Sequence, residues 1–259
     1  MKVVVLAIVV FLVIGGVLVF GDRDGLLYKK TSKLVRPLLG SSEITERMRG
    51  NYSGSFTPLL SRKQWRWFQP ELVSVADGVD GVVLESQAEN VWWKNWRGPY
   101  FYTYVSGDVD VFVRVRTNKA SSPKDSLDRG YQFGGIMLRD PMGERFLTNE
   151  NYVFNVVGYR GKGLQVETKS TLGGWSDVRG HDWPTGDAEL RIVRSGASFK
   201  LFARQIGEIE WHNLIEYMRP DLPGTLQLGI IAYAYSAWSG EHDLQANFEH
   251  IELILLDNK

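Results

Sequence analysis

From residue 65 onward, apolar and polar positions alternate with a period of two. In "DVDVFVRVRT" (108–117), Val109, Val111, Val113 and Val115 fall on one side; Asp108, Asp110, Phe112, Arg114 and Arg116 fall on the other. A strand sends successive side chains to opposite faces, so this run reads as a strand buried on one side. Similar runs occupy 81–85, 99–105, 132–139, 151–158, 163–169, 188–194, 198–204, 225–235 and 246–255. Gly, Asp, Pro and Asn separate them. "RSGAS", between "ELRIVR" and "FKLFAR", predicts a tight hairpin in which Gly196 takes a positive φ. Apart from a turn near 212–218, nothing after residue 65 has helical periodicity. About eleven or twelve strands in one stretch predict an all-β, two-sheet antiparallel jelly-roll sandwich over 64–259.

The N-terminus has a different pattern. Val3 to Phe20 is an uncharged run, which as a helix at about 1.5 Å per residue reaches roughly 27 Å, a bilayer core. It is longer than a signal-peptide core and is preceded by Lys2 alone, so residues 1–21 are expected to be a retained transmembrane helix rather than a cleaved signal peptide. Residues 22–63 are expected to form a basic juxtamembrane linker. Within it, "GLLYKKTSKLVRPLLG" (25–40) suits either an interfacial helix or a segment docking its leucines on the domain or on a partner subunit, and 40–63 reads as a Ser/Gly connector.

Charge sharpens this division. Residues 1–63 carry ten Lys/Arg against four acids, and residues 64–259 carry twenty against twenty-six, so a net charge of zero hides a basic leader and an acidic body. Basic residues beside an apolar span suit anionic headgroups, whereas a nucleic-acid binder places its basic patch on the folded body; nucleic acid is excluded as a partner. Arg23, Lys29, Lys30, Lys33 and Arg36 follow the span, a bias that favours a cytoplasmic sandwich. The absence of cysteine excludes disulfides, thiolate metal sites and a cysteine nucleophile.

Four stretches, "YFYTYVSGDVDVFVRVRT", "QFGGIMLRD", "ENYVFNVVGYRGKGLQVETK" and "ANFEHIELIL", resemble in order the concanavalin A-like lectin/glucanase superfamily, in its branch of single non-catalytic sandwiches. The resemblance spans about residues 65–256, with Val109 for the usual Phe and Glu249 for the usual Asp. It implies a jelly roll with a concave face on which relatives often bind sugars, and a periplasmic or extracellular location.

Candidate chemistry is sparse. A glycosidase needs two facing carboxylates, about 5 Å apart for retention and about 6.5–9.5 Å for inversion. The nearest arrangement is "GEIEWHN", with Glu208 and Glu210 on one strand face but no third acid as in catalytic relatives, so no enzyme is expected. Asp108 and Asp110 share a face on which calcium is conceivable, but an exposed strand face accounts for them equally, and no cofactor is expected. His181, His212, His242 and His250 show no ligand spacing.

The tryptophans are more informative. Flat rings stack on the C–H faces of sugars, and Trp175, Trp183 and Trp238 lie in polar, loop-like contexts that suggest a shared ligand site. Trp92 and Trp93, being adjacent, point to opposite faces, one into a core and one outward; Trp96 with Arg97 is expected at the rim. Arg139 is a candidate fork on the same face, with an ion pair to Asp140 or Glu144 as the competing expectation. Together these features predict a membrane-tethered, non-catalytic module binding a glycan or other polar ligand. The alternatives are an accessory subunit of a membrane protein complex and a divergent glycoside hydrolase.

Overall fold

The computed structural model describes residues 48, 50–78, 81–142, 149–236 and 242–256. The expected anchor at 1–21 and residues 22–47 of the linker lie outside the described residues. Among the described residues, no helix is long and apolar enough to cross a membrane.

Two antiparallel sheets carry nearly all the regular structure of the described residues. The first is formed by β13 (His212–Met218), β12 (Ser198–Arg204), β11 (Asp187–Ser195), β6 (Asp108–Asn118), β15 (Gln245–Leu256), β4 (Val82–Ser86) and β3 (Val73–Asp77), in that order, with β1 (Tyr52–Gly54) added along β15. The second runs β10 (Trp175–Asp182), β9 (Gly163–Leu172), β8 (Tyr152–Arg160), β7 (Tyr131–Arg139), β14 (Thr225–Tyr235), β5 (Tyr100–Ser106) and β2 (Arg66–Phe68). Among the described residues, helix is limited to the turn α1 (Thr57–Leu60) and a 3-10 turn at Pro70–Leu72.

The valines of β6 are fully buried, each contributing about 1.5–3 kcal/mol relative to exposure. They meet the inner face of the second sheet, where Ile136, Leu138, Val153, Val157, Val166, Leu226, Leu228 and Ile230 belong to the same core. The β11–β12 hairpin closes through Ser195 opposite Ser198, with Gly196 at φ 57°, as its sequence predicts.

Three departures from the periodicity reading have local causes. Residues 212–218 form an edge strand rather than a turn, because pairing with β12 supplies the order that their weak alternation does not. Strand β10 has a nearly all-polar sequence because both of its faces are largely exposed at the sheet edge. The third concerns the start of the domain. Met48, Phe56 and Leu59 are buried, and Phe56 packs edge-on against Trp65 (6.3 Å) and Phe248 (5.9 Å). Packing thus begins inside the segment expected to be a connector, before residue 64.

The central strands of the second sheet, β7, β8 and β14, are buried on both faces, and glycines let their backbones approach closely. A Cβ on Gly158 would lie 1.9 Å from the Gln132 carbonyl oxygen, and one on Gly135 would lie 2.2 Å from that of Asn155. Both contacts are with backbone, which cannot swing aside. Gly158→Ala should therefore cost about 3 kcal/mol, seen as a lower urea midpoint at unchanged m-value. An unshifted midpoint would contradict this account of the sheet.

Candidate functional site

Pairing register fixes which side chains lie on the outer face of the second sheet. One row across the sheet reads Tyr235, Tyr131, Arg160; further rows read Tyr233, Phe133, Gly158 and Ile231, Gly135, Val156, Glu167, and another reads Met137, Phe154, Lys169, Val178. Tyr233, Phe133, Met137 and Phe154 form a second apolar cluster, separate from the main core, with Tyr100, Tyr102, Tyr152 and Trp92.

The chain between β4 and β5 crosses this face and is tied down along its length. Asn90 N–H donates to Ala234 O (2.8 Å), Lys94 N–H to Ser176 Oγ (3.0 Å), and Glu150 N–H to Asn95 Oδ1 (2.9 Å). Trp92 is fully buried beneath it and meets Tyr152 edge-on at 5.7 Å. Trp93, by contrast, is 39% exposed.

Under one end of the crossing segment lies a sealed ion cluster. Arg139, fully buried, binds both oxygens of Glu150 (2.8 and 2.9 Å) and donates to Gln227 Oε1 (2.9 Å). Arg97 closes on the same carboxylate. Phe68 and Trp92 cover the Arg139 guanidinium at 5.0 and 5.4 Å.

Under the other end is a half-open cavity of about 470 Å³, lined by Val91, Trp93, Trp96, Tyr131, Arg160, Glu167, Lys169, Val178, Tyr233 and Tyr235. Its rim is aromatic: Trp96 is 61% exposed and stands edge-on to Tyr235 at 6.2 Å. Its floor is ionic. Glu167 takes Arg160 Nη1 at 3.2 Å and Lys169 Nζ at 3.4 Å, and Lys169 also donates to Trp92 O at 2.7 Å. The Lys169 ammonium lies 4.4 Å from the ring centre of Phe154, 5.2 Å from Trp93 and 5.8 Å from Tyr233. Such ring faces attract a cation but do not replace its lost hydration, and burial lowers the Lys169 pKa to about 8 although Glu167 opposes the shift. Burial raises Tyr233 well above its ordinary range.

The residues singled out in the sequence are thus dispersed. Trp96 stands at the cavity rim. Arg97 lies beside it in sequence but is spent on Glu150. Arg139 is not on a ligand-facing rim; desolvation under Trp92 requires it to be paired, and Glu150 provides the partner. Trp175 and Trp183 do not share a site: they stand at opposite ends of β10, about 25 Å of strand apart. Trp175 is 73% exposed with Lys94 Nζ 5.1 Å from its ring, whereas Trp183 packs on the main core and donates Nε1–H to Asp187 O (2.9 Å). Trp238 lies outside the described residues.

Glu208 and Glu210 stand in the turn between β12 and β13 rather than on a strand face, and Glu208 accepts the Gln205 N–H at 3.0 Å. Asp110 is paired with Arg191 (2.8 Å), and Asp108 caps the Gly196 N–H (2.7 Å).

Arg160, Glu167, Lys169, Tyr131, Tyr233 and Tyr235 were not apparent from sequence as a group. Period two does place Glu167 and Lys169 on one face of "GLQVETKS", but a polar pair on a strand normally faces water. The crossing segment that covers them is distant in sequence.

No family model matches the chain, and no curated protein matches it. Solved structures share its fold. A functionally unknown protein from Saccharomyces cerevisiae aligns with TM-score 0.59 and 17% identity over 75% of this chain and 98% of that one. The exoplasmic/lumenal domain of VIP36, in a Ca2+/Man3GlcNAc-bound form, aligns with TM-score 0.52 and 11% identity over 80% and 89%. The GH43 protein BlXynB from Bacillus licheniformis aligns with TM-score 0.55 and 12% identity over 74% of this chain, which spans only 37% of that protein. At these identities the likeness extends to the two-sheet sandwich alone.

The Lys169 environment has a measurable consequence. The unfolded chain keeps this amine protonated up to about 10.5, whereas the folded protein releases the proton near 8. Between those values the unfolded state binds more protons, so stability rises with pH and is lost as pH falls back through 8. Urea unfolding free energy should increase by about 2 kcal/mol from pH 7.5 to 9.5, and Lys169→Met should abolish the increase. A flat wild-type profile would show that the amine is not desolvated. The buried tyrosines act in the opposite sense, but only above about pH 10.

Proposed function

We propose that the protein is a non-catalytic recognition module that binds a glycan in the cavity between the crossing segment and the outer face of the second sheet. The observation that carries this reading is the composition of that cavity, in which Trp93, Trp96, Tyr131, Tyr233 and Tyr235 line the space together with Arg160, Glu167 and Lys169. A pyranose offers an apolar C–H face and a ring of hydroxyls. Aromatic walls suit the first, and fixed donors and acceptors suit the second. The volume also falls within the usual range for small-molecule sites, about 300–1,000 Å³.

Binding is favoured over hydrolysis by the carboxylates. Glu167 is the one acid among the described lining residues, and both its oxygens are engaged by cations, whereas glycoside hydrolysis calls on a facing pair. The fold it shares with VIP36, whose structure holds Man3GlcNAc, agrees with a saccharide ligand. In this reading, the uncharged run Val3 to Phe20 tethers the module to a membrane.

Full-length protein presented to an array of oligosaccharides should retain at least one of them. Replacing Trp96 by Ala should weaken binding of that saccharide about tenfold, by removing a stacking surface worth roughly 1.4 kcal/mol. An array without ligands, or a Trp96→Ala protein that binds like wild type, would refute the assignment.

A further inference from the structure

The charges on the outer face of the second sheet differ from those of the body that carries it. Residues 64–259 hold six more acids than bases. By strand register, that face carries Arg66, Arg139, Arg160 and Lys169 against Glu167 and Asp182. Inside the cavity the surplus is concentrated, with two cations, Arg160 and Lys169, sharing the single carboxylate of Glu167. Lys94 adds a further cation at the rim, 6.0 Å from the Trp93 ring. Glu89 lies near the same rim and accepts the Ser236 N–H (2.8 Å).

Arg160 is the group placed to use this surplus. Its side chain is 38% exposed, and Nη1 alone reaches Glu167, so Nε and Nη2 have no acid partner among the described residues. A guanidinium presents its donors as a planar fork that matches a carboxylate in two-point contact. Lys169 is nearly sealed and contributes a fixed positive field from below. An uncharged ligand would leave one positive charge uncompensated in a half-enclosed space, whereas a single carboxylate would neutralise it.

We infer that the cavity selects a sugar acid, a saccharide whose ring carboxylate is clamped by Arg160 while its C–H face lies on the Trp93 and Trp96 wall. This inference rests on the glycan reading of the cavity and narrows it to one substrate class.

The test uses full-length protein and titration calorimetry with trigalacturonate, its methyl-esterified form and the neutral mannotriose. Esterification removes the charge and keeps the ring, so the acid-to-ester ratio isolates the carboxylate. Trigalacturonate should bind at least tenfold more tightly than its ester, and the ratio should shrink between 20 and 500 mM NaCl as the charge is screened. Arg160→Gln should bring the ratio close to one. Arg179→Gln removes the same charge from β10, at a residue paired with Asp177 outside the cavity lining, and should leave the ratio as in wild type. Equal binding of acid and ester, tighter mannotriose binding, or an acid preference surviving in Arg160→Gln would each overturn the sugar-acid assignment while leaving a glycan site intact. Failure of all three saccharides to bind would overturn this assignment; an oligosaccharide array without ligands would remove the glycan reading as well. If Arg160→Gln does not fold, the salt dependence of the wild-type ratio decides, and a salt-independent ratio rejects the clamp.

Discussion

The arrangement depends on one buried side chain, Trp92, and on the backbone it holds. Its indole is fully enclosed by Tyr100, Tyr152 and Phe68, and its Nε1–H donates to Pro99 O at 3.3 Å. Its own carbonyl accepts the Lys169 ammonium. Burying an indole removes about 150–250 Å² of surface from water, enough to hold a loop-like segment against a sheet. With the segment fixed, Trp93 and Trp96 stand over the cavity, and Arg97 completes the ion cluster at the other end. A segment without that anchor would leave the outer face of the sheet open to solvent.

The outer face pays for its charges in two ways. Arg139, Arg97 and Glu150 satisfy one another beneath aromatic rings, an arrangement in which removing one partner costs more than the set contributes in net terms. Lys169 is different. Its carboxylate partner is shared and 3.4 Å away, and ring faces supply much of the rest of its surroundings. A site that keeps a partly compensated cation next to open volume is more readily explained by ligand binding than by stability, since an apolar residue there would fold with less cost.

The legible and illegible parts of this chain divide along one physical line. Alternation in 108–117, 132–139, 151–158 and 225–235 was enough to place strands, because burial of one sheet face imposes a period of two on any sequence that folds this way. It failed for β10, where both faces are largely exposed and no period is imposed, and for β1 and β2, which are too short to show one. It also missed Met48, Phe56 and Leu59 as core, since their burial comes from contacts such as that with Phe248, far along the chain.

By itself, the sequence determined the two-sheet β architecture, the division of Trp92 and Trp93 between interior and surface, and the acidic character of the folded body, all of which follow from local pattern and composition. Tertiary structure alone decided that Arg139 is an interior cation, that Trp175 and Trp183 stand at opposite ends of one strand, and that Glu167 and Lys169 lie under cover. The reason is that burial of a polar residue depends on what crosses over it. Here that is a segment more than seventy residues earlier in the chain, whose path no periodicity records.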